Sequence, residues 1–312
     1  MRTFRLVLVL LAFTIPVLAQ AGIRVAPVAG TAASPAIASQ TARAHVAGVV
    51  TAAAVVPSET DLPSNSLPNS LASTAVPTAP VGPVPRIALV IGNSAYDARI
   101  GSLATPSSDA QLIAAGLRAV GFDVEVVVDA NQGMMKQAIS QFGQRLTASG
   151  RGSTGLFYYA GHAMQSDGVN YLIPVGAAIT KEADIDLKAV TADSVLSQMK
   201  AAGASLTIVI LDASRNIAIA SAFRGGTTGL AQINAPTNSF LGFSTAPGAL
   251  AADGSGTNSS FALALNAELQ LAGQPIEILF RKVRRTVLQA SGGKQTPWVA
   301  SSLIDSFVFK QE

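Results

Sequence analysis

Short runs of apolar residues, each ending at a polar residue or a glycine, recur along the chain from residue 86 onward. An unbroken run of Val, Ile, Leu or aromatic residues is typical of a strand covered on both faces, as in a parallel sheet under helices. Such strands are predicted at residues 87–91 (IALVI), 155–160 (GLFYYA) and 206–211 (LTIVIL). Further strands are predicted at residues 122–128 (FDVEVVV), 239–245 (SFLGFST) and, closing the sheet, 307–309 (FVF). The pattern therefore predicts a buried sheet.

The stretches between these runs place apolar residues every three or four positions, which is the spacing of one helix face. Helices are predicted around residues 106–120, 135–146, 191–202, 259–271 and 275–290. Ser107 or Ser108 can cap the first helix, and Asp109 lies where the helix dipole favours an anion. Residues 170–175 (NYLIPV) return as a hairpin arm after the turn Asp167-Gly168. Alternating strands and helices indicate one α/β domain with a mostly parallel sheet.

The first 85 residues have a different composition. Residues 1–21 are typical of a signal peptide, because Arg2 and Arg5 precede an apolar run that ends at the small-residue site Ala19-Gln20-Ala21. An uncleaved membrane anchor is the alternative. Residues 22–85 contain nine prolines and no aromatic residue, which favours a disordered linker. The sequence thus predicts an exported bacterial protein, periplasmic or secreted, with a folded domain at residues 86–312.

Composition excludes several kinds of site. The formal net charge is +3, and the densest basic stretch is residues 281–285 (RKVRR), so no nucleic-acid partner and no membrane partner of the mature form are expected. The chain has no cysteine, which rules out disulfides and thiolate ligands, and only one histidine in the folded domain, which is too few for a zinc site. Gly254-Ser255-Gly256 does not match the dinucleotide-binding pattern. No metal and no cofactor are therefore predicted.

Two polar side chains follow the ends of predicted strands. His162 comes after residues 155–160 and Ser214 after residues 206–211. Catalytic groups collect at the carboxyl ends of parallel strands, and neighbouring strands lie about 4.8 Å apart, so these two residues can meet if the strands pair. The only other histidine, His45, lies in the predicted linker. Two interpretations remain open: the residues form a catalytic serine–histidine pair, or His162 is a core histidine that follows a buried strand.

Segments spread over the whole domain resemble the caspase-like domain of the bacterial metacaspase or orthocaspase kind, a branch of the caspase-type cysteine peptidases. In chain order they are LVIGNSAY (89–96), DA (109–110), GFDV (121–124), FYYAGH (157–162), NYLIPV (170–175), ILDA and RN (210–216, around one residue), TAPG (245–248) and QTPW (295–298). The segments occur in the same order as in the family and cover the whole domain, which makes the resemblance specific. It implies a three-layer α/β sandwich with a mostly parallel six-stranded sheet and helices on both faces.

The resemblance also implies roles for individual residues. His162 matches the catalytic histidine, and Ser214 stands where the family has its nucleophilic cysteine. Ala163 replaces a glycine whose amide contributes to the oxyanion hole, which the amide of residue 214 would complete. Asp109 and Asp212 correspond to acidic residues that line the pocket for Arg or Lys, so the implied partner is a peptide or protein with a basic residue. A helix N-terminal carboxylate and a polar strand end are the alternative interpretations of these two residues.

The serine determines the expected chemistry. A thiol of pKa about 8.5 is readily ionised by a neighbouring imidazolium, whereas a serine hydroxyl needs a base that is itself held by a third group. The sequence identifies no carboxylate that could orient His162. We therefore expect a cysteine-type endopeptidase homologue of strongly reduced activity, a pseudopeptidase. The alternatives are an active hydrolase with a Ser214–His162 dyad and a cysteine endopeptidase whose nucleophile was replaced.

Overall fold

A computed structural model describes residues 83–213, 229–251 and 256–312. Its strands are β1 (Arg86–Gly92), β2 (Asp123–Val128), β3 (Thr154–Ala160), β4 (Ala163–Ser166), β5 (Val169–Leu172), β6 (Val190–Thr191), β7 (Leu206–Asp212), β8 (Ser239–Phe243) and β9 (Trp298–Ser301). Its helices are α1 (Pro106–Ala119), α2 (Gln132–Ala148), α3 (Asp184–Lys188), α4 (Ala192–Ala201), α5 (Ser260–Leu269) and α6 (Ile276–Ala290). The predicted signal peptide, residues 22–82 of the predicted linker and Ser214 lie outside the described residues.

The larger sheet has the strand order β2-β1-β3-β7-β8-β9. Among the described strands of this sheet, only β9 runs antiparallel to its neighbour. Alternate side chains of each strand point to opposite faces, so Val90 and Tyr158 pack with α1, α5 and α6, whereas Leu89 and Tyr159 pack with α2 and α4. Because both faces are covered, every residue of β3 is buried, which explains its unbroken apolar run. The predicted three-layer α/β architecture is confirmed.

The helices present apolar stripes to this sheet. The apolar residues that define the periodicity of α2 and α6 are all buried: Met135, Ala138, Ile139, Phe142, Leu146, Ile276, Leu279, Phe280, Val283 and Val287. The predicted caps of α1 are wrong, because the helix begins earlier, with Thr105 as N-cap and Pro106 in its first turn. The fixed φ of proline suits that position. Within the described ranges, no helix combines the length and apolarity needed to cross a membrane.

A smaller antiparallel sheet, β4-β5-β6, lies beyond the end of β3. Asp167 and Gly168 both have positive φ, 49° and 78°, as a two-residue hairpin turn between β4 and β5 requires. The predicted hairpin is therefore confirmed. The sequence pattern did not predict β6 or α3, which are only two and five residues long and show no periodicity.

The predicted closing strand at residues 307–309 is wrong, because β9 closes the sheet instead. Val308 makes only an isolated bridge with Pro275, and Phe309 packs against Phe122 with ring centroids 6.1 Å apart. Arg86 donates hydrogen bonds to the carbonyl oxygens of Val308 and Phe309. Aromatic burial in this segment thus comes from packing rather than from sheet pairing. β9 was missed because an edge strand with exposed ends needs no apolar alternation.

Candidate active site

The ends of β3 and β7 bring the candidate catalytic segments together. These strands are parallel neighbours, and their register pairs Ala160 with Asp212. The amide of Gly161 extends this pairing by donating to the carbonyl oxygen of Asp212 at 3.3 Å. His162 follows immediately. The predicted adjacency of the two strands is confirmed, and Ser214, two residues after Asp212, lies outside the described residues.

The imidazole of His162 is held by a backbone carbonyl. The side chain is buried, and its Nε2 lies 2.7 Å from the carbonyl oxygen of Gly101. A carbonyl oxygen only accepts hydrogen bonds, so Nε2 carries the hydrogen and the neutral ring has its lone pair on Nδ1. The group that orients Nε2 is therefore a neutral dipole. Sequence reasoning missed Gly101 because every residue has a carbonyl group, and nothing in the side-chain pattern marks one.

Two tyrosines hold the backbone and ring of His162. The Tyr96 ring lies edge-on to the imidazole, with centroids 4.7 Å apart, and its hydroxyl accepts a hydrogen bond from the His162 amide at 3.0 Å. The Tyr159 hydroxyl donates to the His162 carbonyl at 2.8 Å. Tyr96 belongs to one of the segments that carried the family resemblance, but no role was predicted for it. Tyr159 belongs to another of these segments and was predicted as a buried strand residue, also without a role of its own.

The loop between β1 and α1 carries both Tyr96 and Gly101, and polar side chains hold it in place. Oδ1 of Asp129 accepts hydrogen bonds from the amides of Ser94 at 2.7 Å and Ala95 at 2.9 Å. Asp129 itself has a φ of 50°, a conformation that Asp tolerates better than most residues. The amide of Gly101 donates to the carbonyl oxygen of Asp97 at 2.8 Å. The loop is thus anchored on the turn that follows β2.

The amide of Ala163 points away from β5. The Ile173 amide donates to the His162 carbonyl at 3.0 Å, and Ala163 pairs with Leu172 in the same register. In an antiparallel ladder, hydrogen-bonded and non-hydrogen-bonded pairs alternate, so Ala163 and Leu172 form a non-hydrogen-bonded pair. The backbone N–H of such a residue is directed out of the hairpin. This direction is compatible with the oxyanion role that the resemblance implies.

Asp109 and Asp212 share one hydrogen-bonding partner. Both carboxylates are buried, Asp109 in the first turn of α1 and Asp212 at the end of β7. The Ser259 amide donates to Oδ1 of Asp109 at 2.9 Å, and the Ser259 hydroxyl donates to Oδ2 of Asp212 at 2.8 Å. Ser259 is also the N-cap of α5. The two acidic residues therefore meet at a helix N-terminus, where the helix dipole favours negative charge.

This environment perturbs the acidity of Asp109. Burial raises the pKa of its carboxyl group, and the negative charge of Asp212 raises it further. Hydrogen bonds from Asn258 and Ser259 act in the opposite direction. Two buried carboxylates near one another favour a cation between them. Ser259 could have been found from sequence as a helix cap, but its contact with both carboxylates requires the fold.

Replacing Asp109 with asparagine is expected to stabilise the fold at neutral pH. Because the folded protein raises the pKa of Asp109, its ionised form is disfavoured in the folded state, and stability is lost as the pH rises from 3.8 through the raised pKa. Asparagine keeps an acceptor oxygen for Asn258 and Ser259 but does not ionise. Each unit by which the pKa is raised corresponds to about 1.4 kcal/mol of stability at neutral pH.

The measurement is urea unfolding of both proteins between pH 4 and pH 8. The difference in stability should grow with pH and then level off. Asp305→Asn, which removes an exposed carboxylate, is the matched control and should change stability little. An Asp109→Asn protein that is no more stable than this control at pH 8 would contradict the electrostatic interpretation.

The described residues contain no group of three or more His, Cys, Asp or Glu side chains that could hold a metal ion. The candidate site consists of the His162 imidazole, the outward-pointing amide of Ala163 and the buried carboxylates of Asp109 and Asp212. Such groups can act as a base, as an anion-binding donor and as a receptor for a cation.

Comparison with known proteins gives one family match and several similar structures. A sequence-family model for the caspase domain matches residues 85–308. Caspase-1 from Spodoptera frugiperda has a similar structure, with a TM-score of 0.54 and 17% identity over 73% of this chain and 93% of that chain. A structural-genomics target from Geobacter sulfurreducens has a TM-score of 0.52 and 16% identity over 73% of this chain and 100% of that chain. At such identities the structural likeness concerns the fold alone. No curated protein sequence matches the chain significantly.

Proposed function

This chain belongs to the caspase domain family of peptidases, and on that premise we propose that it is an exported pseudopeptidase of the metacaspase or orthocaspase kind that binds a basic peptide. In this proposal Asp109 and Asp212 receive an Arg or Lys side chain, and Ser214 replaces the nucleophilic cysteine. The observation that carries it is the pair of buried carboxylates joined through Ser259, next to the loop that holds His162. Export rests on the signal-peptide pattern of residues 1–21.

The recognition step follows from the charge of the pair. Burial and the charge of Asp212 raise the pKa of Asp109, so ionising Asp109 is unfavourable without a cation. A guanidinium or ammonium group placed between the two carboxylates would compensate the charge and lower that pKa. Arginine fits best, because its planar group can donate parallel hydrogen bonds to carboxylates. An uncharged side chain would leave the pair uncompensated.

The expected loss of catalysis follows from the serine at position 214 and from the group that holds Nε2 of His162. When a histidine takes a proton from a nucleophile it becomes an imidazolium, which a carboxylate stabilises in serine hydrolases. Here Nε2 donates to the neutral carbonyl of Gly101. That arrangement is adequate for a thiol, whose pKa is only about 2 units above that of imidazole, but it gives little help to a far less acidic hydroxyl.

Peptide binding tests the recognition step. A capped peptide with one arginine is compared, by calorimetry, with the same peptide carrying citrulline, which has the same shape without the charge. The full chain should bind the arginine peptide at least about 10-fold more tightly, since hydrogen bonds to a charged partner contribute ~1.5–3 kcal/mol each. This preference should disappear in Asp212→Asn and Asp109→Asn.

Asp305→Asn, which removes an exposed charge, should keep the full preference. Equal binding of both peptides by the unaltered protein would refute the proposed pocket. A preference that survives in both pocket variants would place the recognition elsewhere.

An active hydrolase with a Ser214–His162 dyad is the second candidate. One observation favours this candidate. The hydrogen bond from Nε2 of His162 to the Gly101 carbonyl leaves Nδ1 as the basic nitrogen that could accept the serine proton. In that case the unaltered protein should cleave arginine peptides, and His162→Ala should abolish the activity.

A further inference from the structure

We propose that Tyr96 is a positioning residue for His162, because its hydroxyl group is inserted into the backbone ladder at the base of the β4–β5 hairpin. The insertion sets the backbone position from which the imidazole reaches Gly101. The inference rests on the proposed function in one respect, because it takes His162 as the base of the family's reaction. The inference depends on three hydrogen bonds, which join His162 to Tyr96, Tyr96 to Ile173 and Ile173 to His162. These bonds can be tested without measuring activity.

The hairpin lacks one regular hydrogen bond at His162. The Ile173 amide donates to the His162 carbonyl at 3.0 Å, so the two residues stand opposite each other as a hydrogen-bonded pair. A regular pair exchanges both bonds, and the His162 amide would then donate to the Ile173 carbonyl. Instead, this amide donates to the Tyr96 hydroxyl at 3.0 Å, and that hydroxyl donates to the Ile173 carbonyl, also at 3.0 Å. The hydroxyl therefore relays the bond.

Counting hydrogens supports this assignment. The hydroxyls of Tyr96 and Tyr159 lie 3.2 Å apart, and each has one hydrogen to donate. The Tyr159 hydroxyl lies 2.8 Å from the His162 carbonyl oxygen and 3.0 Å from the Ile173 carbonyl oxygen. If Tyr96 donates to Ile173, Tyr159 can donate to His162 over the shorter distance. Every group then has a partner of the right kind. Because these residues are buried, removing one hydroxyl would leave a buried donor or acceptor without compensation from water.

The relay widens the residue pair at one of its two hydrogen bonds. A direct amide–carbonyl bond would bring the His162 nitrogen to about 2.9 Å from the Ile173 oxygen. With an oxygen atom between them, the His162 nitrogen and the Ile173 oxygen are further apart than in a direct bond, while the other bond of the pair keeps a length of 3.0 Å. Tyr96 and Gly101 belong to the same loop, so one loop sets both the backbone and the ring of His162. Without the hydroxyl, direct pairing would draw His162 toward β5 and away from Gly101.

The first test observes the imidazole directly. The chain has two histidines, so a His45→Gln background leaves His162 alone in a spectrum of ring nitrogens. The background protein should show the Nε2–H form. Tyr96→Phe, which keeps the ring and removes the hydroxyl, should give a mixture of both neutral forms. Tyr171→Phe is the matched control, because the Tyr171 hydroxyl bonds to Asp186, and it should leave the spectrum unchanged.

A Tyr96→Phe protein with the same ring-nitrogen shifts as the background protein would overturn the inference. A measurement on the background protein decides the matter even if this variant does not fold. A slowly exchanging Tyr96 hydroxyl proton should show a nuclear Overhauser effect to the His162 amide proton. Absence of that contact would also overturn the inference. Neither measurement depends on peptide binding or on turnover.

The second test uses rates in a Ser214→Cys background. Tyr96→Phe should lower kcat on the order of 10-fold to 100-fold, since a misplacement of about 1 Å has effects of that size. KM should stay nearly constant, because Asp109 and Asp212 have a separate set of hydrogen bonds. An unchanged kcat would argue against positioning. If Ser214→Cys neither cleaves nor binds arginine peptides, the proposed function fails, while the ring-nitrogen spectra still decide the role of Tyr96.

Discussion

Replacing Ser214 with cysteine is expected to raise the rate of cleavage after arginine by about 1,000-fold or more, since removing a nucleophile has effects of up to ~10⁶-fold. The reason is the proton transfer to His162. Its ring is oriented by the Gly101 carbonyl, which leaves Nδ1 as the base but provides no negative charge to stabilise an imidazolium. A thiol needs little such help, because its pKa is close to that of imidazole.

The measurement compares single-turnover rates of the unaltered protein and Ser214→Cys on an arginine substrate. The same substrate with citrulline controls for charge recognition, and His162→Ala in the cysteine background should abolish the gain. Comparable rates for serine and cysteine, both lost in His162→Ala, would favour the active serine dyad instead. No cleavage by Ser214→Cys, together with intact arginine-specific binding, would mean that the site has lost more than its nucleophile.

Replacing Gly161 with alanine should destabilise the protein by about 3 kcal/mol, from backbone strain and overpacking of ~1–3 kcal/mol each. Gly161 has a φ of 153°, which favours glycine. A Cβ atom at this position would lie 2.7 Å from the hydroxyl oxygens of both Tyr96 and Tyr159. The two tyrosines can approach the His162 backbone only because residue 161 has no side chain.

Gly203→Ala serves as a reference for a positive-φ glycine without crowding. Gly203 also has a positive φ, 75°, but an added Cβ would meet nothing within 4 Å, so this variant should show the strain alone. Urea unfolding of both variants measures the difference. In a Tyr159→Phe background the cost of Gly161→Ala should fall, because one of the two close contacts is gone. If Gly161→Ala costs no more than Gly203→Ala, crowding by the tyrosines does not explain the glycine.

The acidic pair shows how far sequence alone could reach. The resemblance singled out Asp109 and Asp212, and local physics explained each one separately, as a first-turn carboxylate and a polar strand end. Their common partner, Ser259, lies about 150 and 47 positions away along the chain. A bond of that kind depends on where α5 begins relative to the first turn of α1 and the end of β7, which no local pattern encodes.

The sequence by itself determined the layered architecture, because strands buried on two faces and helices with one apolar stripe leave direct periodic traces at β3, β7, α2 and α6. It also indicated that His162 follows a strand end. Only the tertiary structure decided that β9 closes the sheet, that the Gly101 carbonyl sets the proton on His162, and that Tyr96 enters the hairpin ladder. These features depend on backbone groups and on contacts between distant segments. Neither can be inferred from the type of side chain at a position.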